Sequence, residues 1–332
     1  MDHPLEPIEP LPLRLEPRAL SPSVALVVPV FNEEHVVRMT YDRIAEVMDG
    51  LQLHWSLTFV NDGSRDETIA ALEQLYDHDP RVSYVALSRN FGHQAALSAG
   101  LDHCDGDIVI TMDADLQHPP ELIPSLLDAW REGYDVVHTR KLSTDGLSPT
   151  RSLTTRIAYR LVRSVSAVNI IPQASDYRLL DRDAVEALKR LPERGRLYRG
   201  LAPWIGYRQA VVPFVADERR AGSSQYGLRQ LGQLFTRSFF DFSHAPLYVG
   251  LVVAAASIAI CFLYLAFVLV AYLLGKATPS GFLSLMFAIG FLISVNLFFL
   301  GIVGVYVARI YDEVRGRPTY LVSRIRRRAT LS

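Results

Sequence analysis

Two uncharged apolar runs, residues 247–274 and 282–308, constrain this chain more than any other feature of its 332 residues. Each exceeds the roughly 20 residues that span the hydrocarbon core of a bilayer. The connector, residues 275–281, is short and carries only Lys276. Arg229 and Arg237 precede the first run, while Arg309, Arg315, Arg317, Arg324, Arg326, Arg327 and Arg328 follow the second. Lys and Arg collect on cytoplasmic flanks. The asymmetry therefore predicts a multi-pass inner-membrane protein whose helical hairpin has its connector outside and both chain termini in the cytoplasm. Two buried helices of a soluble domain would not remain uncharged over such lengths.

The rest of the chain narrows the class further. A formal net charge of -1 argues against a general nucleic-acid binder. The two cysteines, Cys104 and Cys261, build neither a disulfide framework nor a zinc site, which fits a reducing compartment. Residues 1–22 hold six prolines and several acids but no apolar segment of the signal-peptide kind. Proline has no amide to propagate helix or sheet, so this stretch is expected to be a disordered arm.

From Val24 the pattern becomes regular. Residues 24–30 form a continuous apolar run, as a strand covered on both faces requires. Asn32 is placed to cap the helix that follows, with Glu33 and Glu34 in its first turn. Strands are predicted at 55–61, 81–88, 107–112 and 134–139, alternating with helices from Asp66, from His93 and from near Pro119. Such alternation implies an α/β fold, a mostly parallel sheet with helices on both faces and right-handed crossovers. Ligands of such sheets sit at the carboxyl ends of the strands, where the polar motifs of this chain fall. Residues 151–163 and 228–242 carry apolar side chains at helical spacing together with arginines. Both have the composition of amphipathic helices, at home in the lipid headgroup layer, although the first reads equally well as a surface helix packed on the sheet.

The chemistry concentrates in Ile108-Val-Ile-Thr-Met-Asp113-Ala-Asp115-Leu-Gln117. A hydrophobic strand ends there in two carboxylates one residue apart, which share a face in extended chain. They repel unless a cation lies between them, and Mg²⁺ or Mn²⁺ would satisfy them while also binding a nucleotide diphosphate. The first strand ends in Pro29-Val-Phe-Asn-Glu33 and the second in Asn61-Asp62-Gly-Ser-Arg-Asp66. The Gly-Ser turn lets the backbone approach a ligand closely; taken singly it is a helix start with Ser64 or Asp66 as cap.

Together with Arg89-Asn-Phe-Gly92, these segments resemble the family 2 glycosyltransferases with a GT-A (Rossmann-like) fold. Residues 218–226, Glu-Arg-Arg-Ala-Gly-Ser-Ser-Gln-Tyr, look like the Arg-x-x-Gly-x-Ser-Lys-Tyr segment of polyprenol-phosphate sugar synthases, and the two apolar runs and residues 309–318 are similar to bacterial members. These include undecaprenyl-phosphate glucosyltransferases, with dolichol-phosphate mannose synthase a relative. The resemblance spans residues 24–322.

It implies transfer of a hexose, glucose first, from a nucleotide sugar of the UDP type to polyprenyl (undecaprenyl) phosphate, with inversion, at the cytoplasmic membrane face. Pro29, Phe31, Glu33 and Asp62 would line the nucleoside pocket, and Asp113 would meet the ribose or the metal, with Ala114 between the two acids also on the donor. Asp115 would hold the metal, Gln117 would complete its shell, and Arg140 would meet phosphate. Arg219 would bind donor diphosphate or acceptor phosphate. Gln225 stands where the family motif has lysine; it can hydrogen-bond phosphate without bringing charge. Asp176 would orient acceptor or sugar, or else only pair with Arg178. Relatives suggest a homo-oligomer.

His93, His103 and His118 lack metal-ligand spacing and read as solvated or capping side chains, with His118 alone placed to touch the surroundings of a metal. Trp204 and Tyr226 read as packing residues. The domains expected are a disordered arm (1–22), a cytoplasmic catalytic domain (23–226), an interface helix (227–245), two transmembrane helices (246–308) and a basic cytoplasmic tail (309–332). A processive polysaccharide synthase would carry a Gln-x-x-Arg-Trp signature and more spans. A membrane-tethered nucleotide-sugar-binding scaffold is the non-catalytic alternative, against which the intact acidic pair argues.

Overall fold

Strand β2 (Val24–Val30) is buried along its whole length, and its side chains sort by parity into two layers. Val24, Leu26, Val28 and Val30 join one core with Val37, Tyr41, Ile44 and Met48 of α1 (Val37–Gly50), Leu72 and Leu75 of α2 (Thr68–His78), and Ile123, Leu126 and Leu127 of α4 (Ile123–Arg131). Val27 faces the opposite layer, against Gly100 of α3 (His93–His103). Alternation along one strand thus places helices on both faces, as the unbroken apolar run predicts.

The computed structural model describes residues 6–8, 18, 21–115, 117–142, 174–193, 196–215, 245–275 and 281–328. Segments 151–163 and 228–242, together with Arg219, Gln225 and Tyr226, lie outside the described residues. The chain divides into two compact units, the first comprising Met1–Tyr159, Val168–Gln225 and Pro318–Ser332, the second Arg160–Ala167 and Tyr226–Arg317.

The first unit is built on a nine-stranded sheet of order β1-β8-β6-β7-β5-β2-β3-β4-β9. Strands β2, β3 (Trp55–Asn61), β4 (Val82–Leu87), β5 (Ile108–Thr111), β6 (Val136–Leu142) and β8 (Gln209–Val215) run in one direction, so six of nine strands are mutually parallel. Strand β7 (Ala174–Asp181) runs antiparallel between β5 and β6. Its first residues therefore lie at the same sheet rim as the last residues of the parallel strands. Helix α5 (Arg182–Arg190) follows it directly, capped by Asp181, and α6 (Tyr198–Trp204) precedes β8. Pro29 is tolerated in a central strand because the β5 ladder ends at Val27, whose carbonyl takes the Met112 N–H at 3.1 Å. The amide that Pro29 lacks would point to that same side, beyond the last rung.

Two terminal expectations need correcting. Within the arm, Glu6–Ile8 form β1, antiparallel on β8, and an edge position leaves room for Pro7. Arg18 pairs with Asp135 and Asp181 and stacks 4.6 Å over Trp130. At the other end, the basic stretch is not a free tail. Val322–Arg326 form β9, antiparallel to β4, and Arg324 and Arg327 pair with Glu73 and Asp105. Trp204 is exposed, contrary to its expected packing role.

In the second unit, α7 (Ala245–Leu273) and α8 (Phe282–Val314) are both long and apolar enough to cross a membrane, over windows Val252–Ala271 and Ala288–Val314. Almost none of either window is buried, which separates them from core helices of a soluble domain. They meet where Gly250 lies against the Phe299 ring, a contact that leaves no space for a side chain at 250. Helix α8 continues beyond the apolar run through Arg309, Asp312 and Glu313.

Helix α3 approaches the sheet so closely at Gly100 that a Cβ there would overlap Val27 Cγ1. Gly100→Ala is expected to destabilise the protein by about 1–3 kcal/mol, read as a lower unfolding midpoint. Adding Val27→Ala should recover part of the loss, and an unchanged midpoint in the single variant would contradict this packing.

Candidate active site

The β3–α2 turn is the first piece of the site. Gly63 has φ +71°, and a Cβ there would overlap the backbone of Arg89 and Asn90, so both conformation and space demand glycine. This close approach brings Asp62, itself buried, under the next loop, where its carboxylate accepts the N–H groups of Phe91 (2.7 Å) and Gly92 (2.9 Å). Burial pushes the Asp62 carboxyl up, and the two amides only partly offset it. Gly92, at φ +99°, then starts α3 and presents His93 at the sheet rim. The sequence motifs Asn-Asp-Gly-Ser and Arg-Asn-Phe-Gly are thus one hydrogen-bonded unit.

The β2–α1 loop is tied to the same turn. Asn32, at φ +54°, does not cap α1 as expected, because α1 begins only at Val37. Its N–H donates to Ser64 Oγ, and its side-chain oxygen accepts the Arg65 N–H, each at 2.9 Å. Glu33 N–H donates to Thr68 Oγ1 at 2.9 Å. Phe31 is exposed beside this knot and Pro29 is buried beneath it.

The acidic motif follows β5. Asp113 is 30% exposed, Asp115 is half-buried with Oδ1 accepting the Gln117 N–H at 3.1 Å, and the carbonyl of buried Ala114 accepts Thr40 Oγ1 at 3.0 Å. Oδ1 of Asp113 is buried without a hydrogen-bond partner. His93 Nε2 lies 3.4 Å from that oxygen and 3.4 Å from Oδ2 of Asp176.

Asp176 sits in the antiparallel strand next door, where Thr111 Oγ1 donates to its carbonyl at 2.6 Å. Its carboxylate is only 2% exposed. Oδ1 accepts Arg178 Nη2 at 2.8 Å; Oδ2 accepts Gln94 Nε2 at 3.2 Å and lies 3.0 Å from Arg199 Nη2. Burial alone would raise the Asp176 carboxyl, but His93, Arg199 and Arg178 outweigh it and hold it well below the usual carboxylate range. Burial also disfavours protonation of His93, and the neighbouring Asp176 and Asp113 more than offset that, raising it. Arg178 is as buried as Asp176 and also donates to the carbonyls of Tyr198 (2.6 Å) and Ser175 (3.1 Å).

Of the residues singled out by sequence, the structure brings Asp113 and Asp176 together across His93. It puts Asp115 and Gln117 in the same loop as Asp113, and it buries Asp62 as a support of α3. Arg140, half-buried, ends near the rim on β6, opposite Pro213. His93, expected to be a solvated or capping side chain, instead lies between the Asp113 and Asp176 carboxylates, and sequence reasoning missed Gln94 and Arg199. Gln94 spans α3, α6 and β7, since its Oε1 also accepts the Tyr198 N–H at 3.0 Å. Arg199 keeps 45% of its side chain exposed beside Asp176. The only sequence signal was the two-residue spacing of Asp176 and Arg178 on one strand face; the others come from segments far apart in the chain.

The described residues offer no group of three or more His, Cys, Asp or Glu able to hold a metal by themselves. The donor set nonetheless fits Mg²⁺ or Mn²⁺, because such ions are commonly held by one or two carboxylates with substrate phosphates and water supplying the rest. Oδ1 of Asp113, which accepts no hydrogen bond and has only His93 Nε2 at 3.4 Å, is an acceptor that such an ion could use.

The buried pair yields a direct prediction. Asp176→Asn leaves Arg178 charged and uncompensated, which is expected to destabilise the fold by about 3–5 kcal/mol, measured by chemical unfolding of the purified protein. A loss below about 1 kcal/mol would show that the pair is solvated.

Comparison with known proteins agrees with this geometry. Residues 25–189 match the model of glycosyl transferase family 2. The chain is 39% identical over 304 residues to the uncharacterized glycosyltransferase YkcC of Bacillus subtilis (strain 168), covering 90% of this chain and 93% of that protein. It is 40% identical over 304 residues to the uncharacterized glycosyltransferase sll0501 of Synechocystis sp., covering 90% and 94%. It is also 38% identical over 310 residues to the SfII prophage-derived bactoprenol glucosyl transferase of Shigella flexneri, covering 92% and 98%. With identity of this order along nearly the whole length, the chain belongs to glycosyl transferase family 2.

Proposed function

We propose that the protein transfers a hexose, glucose in the first instance, from a UDP-sugar to a polyprenyl phosphate at the cytoplasmic face of the membrane. One observation carries the reading: a single chain joins an acidic, arginine-rimmed site at a sheet edge to two helices long enough to cross a bilayer. Near full-length similarity to bactoprenol glucosyl transferases supports the same acceptor and sugar.

Chain connectivity supports the topology. The first unit supplies residues both before α7 and after α8, including β9. If both helices cross, the chain returns to the side it left, and Arg309, Arg315 and Arg317 beside the second helix support a cytoplasmic location for that side.

Mechanistically, the acceptor is a phosphate monoester, with a second pKa near about 6. Its oxygen is ionised near neutral pH and is a nucleophile without a base. Asp176, held ionised by His93, Arg199 and Arg178, is a poor proton acceptor. It serves instead to hold Arg199 and His93 where two anions must meet. Arg199 and Arg140 would steady phosphate oxygens, with Arg219 contributing from outside the described residues and Gln225 offering an uncharged hydrogen bond. Phe31 and Glu33, above Pro29 and Asp62, would receive the nucleoside. Asp113 and Asp115, with Gln117, would hold a divalent ion, which when bound neutralises the donor diphosphate. Direct displacement by the phosphate oxygen inverts the anomeric centre.

The test is transfer of radiolabelled glucose from UDP-glucose to undecaprenyl phosphate by the full chain in lipid nanodiscs with Mn²⁺. A lipid-linked product is expected, and Asp115→Asn should reduce its formation by about 100-fold or more while the protein stays folded and membrane-bound. Nucleotide binding without transfer from any donor of a panel would overturn the enzymatic reading. Wild-type rates in Asp115→Asn would overturn the metal assignment alone.

A further inference from the structure

His118, expected from sequence only to touch the surroundings of a metal, has defined partners on both ring nitrogens. It is buried, 7% exposed, with its ring 5.2 Å from that of Tyr177 and 5.9 Å from that of Phe214. Its Nδ1 accepts the backbone N–H of Asp113 at 3.0 Å. A ring nitrogen that accepts an amide proton carries none of its own, so the proton of the neutral ring sits on Nε2. Nε2–H then donates to Ser175 Oγ at 2.6 Å, and the same Oγ accepts the Tyr177 N–H at 3.2 Å. Oδ2 of Asp113 approaches Nδ1 to 3.5 Å, too far, and facing a lone pair already engaged, to count as an ion pair. Tyr177 Oη donates to the Pro119 carbonyl at 3.0 Å, closing the loop that His118 opens.

These contacts form one continuous path from the Asp113 amide through the imidazole to Ser175, the residue before Asp176. The path runs beside the sheet ladder, which ends at the Thr111–Arg178 rung. Beyond that rung no β5–β7 pairing holds the two carboxylates in register. The imidazole adds a second cross-link to the one that Thr111 Oγ1 makes on the Asp176 carbonyl, and the rings of Tyr177 and Phe214 pack against it.

We propose that His118 is a positioning residue, a tautomer-fixed bridge that sets the Asp113 carboxylate relative to Asp176. The proposal rests on the reading of Asp113 as a ligand of the donor's divalent ion. It predicts that the two faces of the ring are not equivalent. Asparagine at 118 can present an acceptor near the place of Nδ1 and keep the Asp113 amide. Glutamine reaches toward Ser175 and leaves that amide without a partner.

Two measurements decide it. Histidine-selective ¹⁵N NMR of the full chain in nanodiscs, with the signal assigned by loss in His118→Asn, should show the neutral Nε2–H tautomer at 118; the Nδ1–H tautomer would overturn the bridge. Calorimetric titration of UDP in the presence of Mn²⁺ should show affinity weakened by about tenfold in His118→Gln but within about threefold of wild type in His118→Asn. Equal losses in the two variants, or none in His118→Gln, would overturn the proposal, and unfolding midpoints of both check that the comparison is between folded proteins. Should wild type itself bind UDP without any dependence on Mn²⁺, the metal reading fails. The tautomer then decides the bridge alone, because it needs neither ligand.

Discussion

A carboxylate and a guanidinium, each 2% exposed and 2.8 Å apart, underlie everything else at this site. Charges taken this far from water persist only where partners satisfy their remaining hydrogen-bonding capacity. Arg178 meets that condition by reaching the carbonyls of Ser175 and Tyr198; Asp176 meets it through Gln94 and Arg199. The partners come from α3 (Gln94), from α6 (Tyr198 and Arg199) and from β7 itself (Ser175), so the buried pair specifies how these three elements converge. Removing it would free three element ends at once.

The same constraint separates carboxylates by duty. Asp62 and Asp176 are consumed by the fold, the first by two amides and the second by arginines, a glutamine and a histidine. Asp113 keeps an oxygen that accepts no hydrogen bond and has only the longer 3.4 Å approach of His93 Nε2. A site that must bring an anionic acceptor to an anionic donor needs cations that are fixed and a carboxylate that is available. Arg199, His93 and Asp113 divide in that way, and an acceptor that is already ionised removes the demand for a base. In the proposed reaction the apolar helices account for the other half of the problem, since a polyprenyl chain would stay in the bilayer and its headgroup would be met there.

Much of the scaffold was legible in the sequence. Strands β2 and β3 occupy the residues expected of them, β2 because an unbroken apolar run suits a strand covered on both faces. The acidic pair at the end of β5 and the two apolar helices were visible for similar reasons of burial and length. What was hidden involved contacts between distant segments. Asp62 reads as a ligand because Gly63-Ser64 looks like a turn left open; only the fold shows that Phe91 and Gly92 fill it. Asn32 has the composition of a cap, yet Arg65 and Ser64 compete for it. The antiparallel insertion of β7 follows from no local pattern, and it alone brings Asp176 beside Asp113. Residues 322–326 read as part of a basic cytoplasmic tail, and no alternation of apolar residues marks the edge strand they form on β4.

In the proposed reaction the Asp113 oxygen that accepts no hydrogen bond is held ready for a cation that arrives with the donor. The most direct test is electron paramagnetic resonance of Mn²⁺ bound to the full chain with UDP carrying ¹⁷O at the β-phosphate, compared between wild type and Asp113→Asn. A single bound Mn²⁺ with resolved coupling to the phosphate oxygen is expected in the wild-type protein, with loss of that bound population in the variant. An identical bound Mn²⁺ signal in Asp113→Asn would contradict this role.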